Sequence, residues 1–104
     1  MSVIEKLAAT IAARASASAD SSYTAKLLAG GIEKCAKKFG EEAVELVLAA
    51  ASKDKAHTAN EAADLIYHLL VLLQASGVSL SEVEKVLAAR ESQSGLEEKA
   101  SRRG

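Results

Sequence analysis

Not one of the 104 residues is proline, while alanine fills 22 positions and leucine 13. Proline is the residue that most reliably ends a helix, and alanine and leucine are among the strongest helix formers. Aromatic residues make up only 3% of the chain, and the β-branched residues that favour strands are sparse. The expected fold class is therefore all-α. The length suits one small domain, whose core has to be built from aliphatic side chains and alanine. A hydrophobic fraction of 49% with 26% charged residues is ordinary for a globular domain and excludes a disordered or low-complexity chain.

The net charge of −1 gives no field strong enough to attract nucleic acid or an anionic membrane, so neither is an expected partner. The single Cys35 excludes an intrachain disulfide framework and a multi-cysteine zinc site, which fits a reducing, cytoplasmic setting. Glu5 and Lys6 interrupt the first apolar residues too early for a signal-peptide core. The longest apolar run, Leu65 to Leu73, is broken by His68 and falls far short of the roughly 20 residues that span a bilayer.

Hydrophobic periodicity organises the rest. Val3, Ile4, Leu7, Ala8, Ile11 and Ala12 recur at helical spacing, predicting a first helix over about 3–15. The serine-rich stretch from Ser16 to Ser22 reads as a loop, because its side chains compete for backbone hydrogen bonds. A short helix to Ala29 follows, then a turn at Gly30-Gly31, and a long helix from Ile32 to about Ser52 with Gly40 inside it. After the charged break Lys53-Asp54-Lys55, the most apolar helix is expected over about 58–75, stopped by Ser76-Gly77. Ser79 and Glu82 match a capping box that starts a last helix with the face Val83, Val86, Leu87 and Arg90. The domain is expected to occupy residues 1–93, with 94–104 a charged, flexible tail. No internal repeat is evident.

Two helices are apolar on more than one side. Val44, Val47, Leu48 and Ala51 form one stripe of the long helix, with Leu46, Ala49 and Ala50 roughly opposite. In the following helix Leu65, Leu69 and Leu72 lie on one flank and Ile66, Leu70 and Leu73 on another. A chain this short cannot cover helices that are apolar all round. The expected architecture is thus a bundle of four to five helices completed by dimerisation, with a second copy of the chain as partner.

The most informative residues are acids in apolar company. Gly40-Glu41-Glu42-Ala43-Val44-Glu45 sets three carboxylates within about 1.5 turns of one helix, and Glu61-Ala62-Ala63-Asp64 sets two more on one face of the next. If these helices pack antiparallel, both acid sets converge toward the same end of the hairpin. Converging carboxylates repel unless they protonate or bind a cation. A carboxylate-only donor set suits Mg²⁺, with Mn²⁺ as a substitute, rather than zinc. Mg²⁺ leaves coordination positions to water and phosphates, which points to a nucleotide or polyphosphate ligand. Lys34, Lys37 and Lys38, with Arg90 and the Tyr23 hydroxyl, are candidates to meet phosphate oxygens.

Plainer readings exist for each residue. Adjacent glutamates usually form a solvated face, and Glu41 and Glu45 could simply pair with Lys37 or Lys38 for tenths of a kcal/mol. A first-turn acid such as Glu61 can serve the helix dipole, though this explains Asp64 less well. His68 shares the face of Glu61 and Asp64; it either orients a carboxylate, contacts phosphate, or is a hydrogen-bonded core histidine. His57 reads as a surface residue and Cys35 as a small packing residue.

The pattern EExxE followed by ExxD on consecutive helices resembles the MazG-like all-α nucleoside-triphosphate pyrophosphatase superfamily. Within it, the segments 22–27 (Ser-Tyr-Thr-Ala-Lys-Leu), 38–45, 61–73 and 83–90 look like the phosphoribosyl-ATP pyrophosphohydrolase branch, and together they span most of the chain. Many relatives are expected to have a proline near Asp20-Ser21, and its absence here touches the loop and not the acids. No cyclohydrolase-like segment with zinc-type ligands is present, so the resemblance is to the stand-alone enzyme.

The resemblance implies Mg²⁺-dependent hydrolysis of phosphoribosyl-ATP to phosphoribosyl-AMP and pyrophosphate, the second step of histidine biosynthesis. It implies a metal held by Glu42, Glu45, Glu61 and Asp64, with Glu41 as a fifth acid, and either Glu41 or Glu42 activating the water. Lys38 and Arg90, with Lys34, would clamp phosphate oxygens, and Tyr23 and Thr24 would contact the nucleotide or ribose phosphate. Two other readings compete: a house-cleaning dNTP pyrophosphatase of the same superfamily, and a non-catalytic helical dimerisation module. A di-iron bundle would need two Glu-x-x-His pairs, and the chain has none.

Overall fold

The computed structural model describes residues 2–20 and 22–91, so the expected tail over 94–104 lies outside the described residues. Among the described residues the chain is all-α, with five helices and no strand: α1 (Val3–Arg14), α2 (Tyr23–Ala29), α3 (Gly31–Ala51), α4 (Lys55–Ser76) and α5 (Leu80–Glu91). No single described helix is long and apolar enough to cross a membrane.

Side chains at the helix starts explain most of the boundaries. Ser2 and Glu5 form a reciprocal capping box that begins α1, and Ser22 accepts the Ala25 N–H at 3.2 Å to begin α2. Ser79 and Glu82 form the expected box before α5, with Glu82 accepting the Ser79 N–H at 2.6 Å. One boundary differs from the sequence reading: α4 begins at Lys55, a turn earlier than 58. The charged segment 53–55 is the helix start itself, because Asp54 accepts the His57 N–H at 3.0 Å and Lys53 turns the chain at a φ of 63°. Gly31, at a φ of 87°, allows α3 to follow α2 almost without a loop.

The hairpin of α3 and α4 is the spine of the molecule, and α1 and α2 cover one side of it. Ile11, Leu27, Cys35, Leu70 and Val71 form the buried core where these four helices meet, with Leu7, Leu28, Tyr67 and Leu73 packed around them. Cys35 belongs to that core. Its thiol donates to the Leu27 carbonyl at 3.3 Å, and burial pushes its pKa up, away from reactivity. Helix α5 leaves α4 at 109° and contains no buried residue.

The two-sided apolar helices resolve into an inner and an outer face. Ala49 of α3 and Leu70 of α4 are buried, whereas Val44, Val47 and Leu48 remain 58%, 65% and 64% exposed.

Candidate metal centre

The acids of α3 and α4 meet near the turn end of the hairpin. One oxygen from each of Glu42, Glu45 and Glu61 lies within 4.8 Å of the others, so the two helices together make a three-carboxylate site. The i,i+3 spacing of Glu42 and Glu45 puts both on one face of α3, and the antiparallel return of α4 brings Glu61 opposite. Asp64 is exposed and stands outside this triad, yet its charge still reaches Glu42 and His68. Glu41 also stands outside, one residue round the helix, where it pairs with Lys38 at 3.2 Å.

The electrostatic conflict expected of converging acids is present. A hydrogen bond with Glu45, burial, and the charges of Glu45, Asp64 and Glu61 push Glu42 up to about 7 from an ordinary 4.5. In other words, the cluster relieves its repulsion by keeping a proton. A cation would relieve it equally well and release that proton.

Glu61 supplies a second sign: its Oε2 is buried and has no hydrogen-bond partner, while its Oε1 lies 3.5 Å from the His57 Nε2. Buried carboxylate oxygens are normally satisfied, so an unpartnered one on a member of an acid cluster fits a cation ligand. The all-oxygen donor set fits Mg²⁺.

Around the triad the remaining candidates separate. His68 is buried with Nε2 3.8 Å from the Glu42 Oε1, and burial lowers its pKa, with the nearby Lys38 charge adding to the effect. Burial thus disfavours the charged imidazolium beside Glu42. Lys38 is half-buried; its hydrogen bond and ion pair with Glu41 raise its pKa, and Tyr23 is near enough to add to that effect. Tyr23 itself is 57% exposed and borders an open cavity of about 470 Å³ lined also by Asp20, Ser22 and Lys26.

Thr24, by contrast, is buried, and its hydroxyl lies 2.6 Å from the Tyr67 hydroxyl. Lys34 is exposed with its stem folded over Gly30, and Arg90 is exposed on α5. Among the described residues, no ion pair or hydrogen bond joins either of them to the acids.

Two residues at this site carry no site role in the sequence analysis. His57 is the exposed surface residue expected there, and its i,i+4 spacing to Glu61 on α4 also brings it to 3.5 Å from that acid. Tyr67 had no local signal, because its partner Thr24 is 43 residues away.

Comparison with known proteins agrees with the geometry. A family model described as phosphoribosyl-ATP pyrophosphohydrolase matches residues 4–91, which include every acid of the site. The chain belongs to the phosphoribosyl-ATP pyrophosphohydrolase family. Similar family members include a phosphoribosyl-ATP pyrophosphatase of Cereibacter sphaeroides, 61% identical over 102 residues, covering 98% of this chain and 99% of the relative. A phosphoribosyl-ATP pyrophosphatase 1 of Bradyrhizobium diazoefficiens is 62% identical over 100 residues, covering 96% and 94%. One from Dinoroseobacter shibae is 60% identical over 102 residues, covering 98% and 100%. Near-complete coverage in both directions means that the α3–α4 acids and the α2 segment fall within the shared region of this pyrophosphohydrolase family.

Proposed function

We propose that this chain hydrolyses phosphoribosyl-ATP to phosphoribosyl-AMP and pyrophosphate, in histidine biosynthesis, at the acid cluster between α3 and α4. The observation that carries this reading, beside family membership, is the three-carboxylate cluster with the orphaned Glu61 Oε2. Glu42, Glu45 and Glu61 would hold Mg²⁺, or Mn²⁺ in its place, with Asp64 completing the acid set. When bound there, the ion would supply charge neutralisation for the phosphate oxygens.

The protein's own groups have separable tasks. A water oxygen attacks the α-phosphorus, the bond from that phosphorus to the bridging oxygen breaks, and the pyrophosphate departs with that oxygen. Glu41 accepts the water's proton in our reading, because it is the α3 acid outside the triad, where its ion pair with Lys38 keeps it ionised beside the cluster. Lys38, with Lys34 and Arg90, provides positive charge for phosphate oxygens. Tyr23 and the cavity beside it receive the organic part of the nucleotide. His68, buried with its Nε2 3.8 Å from the Glu42 Oε1, orients that acid in our reading.

The working unit is a homodimer in a cytoplasmic setting. Val44, Val47 and Leu48 form a contiguous apolar stripe on α3, the kind of exposed patch that a second copy covers.

Pyrophosphate release from phosphoribosyl-ATP, assayed beside a panel of dNTPs, tests the substrate. The expected result is a kcat/KM for phosphoribosyl-ATP at least about a hundredfold above any dNTP, which is the scale of discrimination that a site built for particular polar groups provides. Equal or faster turnover of a dNTP would move the chain to the house-cleaning reading. Absence of turnover on all of them would favour a non-catalytic helical module.

A further inference from the structure

The hydroxyl pair of Thr24 and Tyr67 lies outside the acid cluster, yet it connects the parts of the site. Helix α2 has only seven residues, too few to hold its own conformation without tertiary contacts. Its anchors are the buried Ala25 and Leu27, the Ser22 cap, and the 2.6 Å contact from the Thr24 hydroxyl to Tyr67 of α4. On the α4 side, the Tyr67 ring meets His68 edge to face, with centroids 5.0 Å apart and planes at 80°. His68 in turn lies 3.8 Å from the Glu42 carboxylate. On the α2 side, the residue next to Thr24 is Tyr23, which is exposed toward the cavity and within electrostatic reach of Lys38. The hydrogen bond between hydroxyls thus joins these packing anchors in setting the register of the segment that bears Tyr23 relative to the helix that bears Glu61 and His68.

We infer that Thr24 and Tyr67 are a positioning pair: their shared hydrogen bond ties α2 to α4 and holds Tyr23 at the right distance from the acid cluster, without either hydroxyl touching the nucleotide. The inference rests on the proposed nucleotide site. It also changes the role of Thr24 from the substrate contact implied by family resemblance to that of an internal strut. A hydroxyl buried against Tyr67 is poorly placed to reach a phosphate.

The test is a double-mutant cycle with Tyr67→Phe, Thr24→Val and both together, read as KM and kcat for phosphoribosyl-ATP. Each single variant is expected to raise KM about fivefold, the scale of one lost hydrogen bond, with kcat changed by less than about twofold. The double variant should be no worse than either single one, and Thr24→Ser should recover most of what Thr24→Val loses. Multiplying effects in the double variant, or an unchanged KM in Tyr67→Phe, would overturn the tie; multiplication is what a direct Thr24 contact with substrate gives.

Two further readouts do not depend on turnover. Mn²⁺ binding without nucleotide, followed by electron paramagnetic resonance, should match the wild type in Tyr67→Phe, because the triad does not depend on the tie. Amide hydrogen exchange across α2 should accelerate in Tyr67→Phe, and unchanged exchange would overturn the tie. If the wild type releases no pyrophosphate at all, the functional reading fails, and hydrogen exchange alone decides the structural one.

Discussion

The two faces of α3 have opposite characters. One presents Glu42 and Glu45 to α4, close enough that Glu42 keeps a proton to relieve the repulsion. The other presents Val44, Val47 and Leu48 to solvent, each more than half exposed. Both run contrary to the usual distribution, with charge drawn together in a partly apolar cleft and aliphatics left outside. Neither arrangement favours the isolated chain without ligands, and each is relieved by something that binds: a cation on the first face and a second subunit on the second. Because residues of the two faces alternate on a single helix, the two can be broken separately.

The largest effect is expected on the acid face. Glu61→Gln removes the charge of the orphaned oxygen and should lower pyrophosphate release at saturating phosphoribosyl-ATP by at least about a hundredfold, the scale of losing a group that stabilises transition-state charge. The apparent mass and the metal-free melting temperature should hold or rise slightly, since one repelling charge is gone. A variant that binds Mn²⁺ and turns over like the wild type would remove Glu61 from the metal site.

The apolar face should respond in the opposite sense. Val47→Glu places a charge in the middle of the exposed stripe, and light scattering should show the mass falling to that of a single chain at micromolar concentration. All three triad acids come from one chain, so Mn²⁺ affinity should change by less than about threefold, well under 1 kcal/mol. A wild type that is already a single chain would show that the stripe is not a dimer interface.

The smallest effect concerns pH. The folded state holds a proton on Glu42 up to about pH 7, whereas the unfolded chain gives it up near the ordinary 4.5. This contribution to metal-free stability is therefore fully present below about 4.5, is lost as pH rises through about 7, and levels off above it. His68 acts oppositely: its lowered pKa favours the folded state above its ordinary 6.5 and that contribution is lost as pH falls. The difference between wild type and Glu42→Gln isolates the first effect, and the variant's stability should fall less steeply between pH 4.5 and 7. Mg²⁺ has to displace the same proton, so its affinity for the wild type should climb toward pH 7 and flatten beyond. Parallel stability curves for the two proteins would refute the shared proton.

What the sequence disclosed follows the reach of each signal. Local signals were readable: the capping box of Ser79 and Glu82, the periodic face of α1, and the acids at i,i+3 on α3. The spacing put Glu42 and Glu45 together, and the antiparallel hairpin brought Glu61 to them; that Asp64 stands outside the triad depends on how α4 is rotated against α3. The start of α4 lies a turn before the expected one because Asp54, within a charged segment that reads as a break, caps the helix with its side chain. The Thr24–Tyr67 bond was invisible, since nothing local marks a partner 43 residues away. The apolar stripe was legible as a pattern; what covers it is set by assembly, which periodicity does not encode.

The most direct test of the account is pyrophosphate release from phosphoribosyl-ATP by the purified protein, measured with millimolar Mg²⁺ and again with the ion chelated. The account predicts steady release with Mg²⁺, near-complete loss on chelation, and recovery when Mg²⁺ or Mn²⁺ is restored. Release that persists unchanged in the presence of the chelator, or no release under either condition, would contradict it.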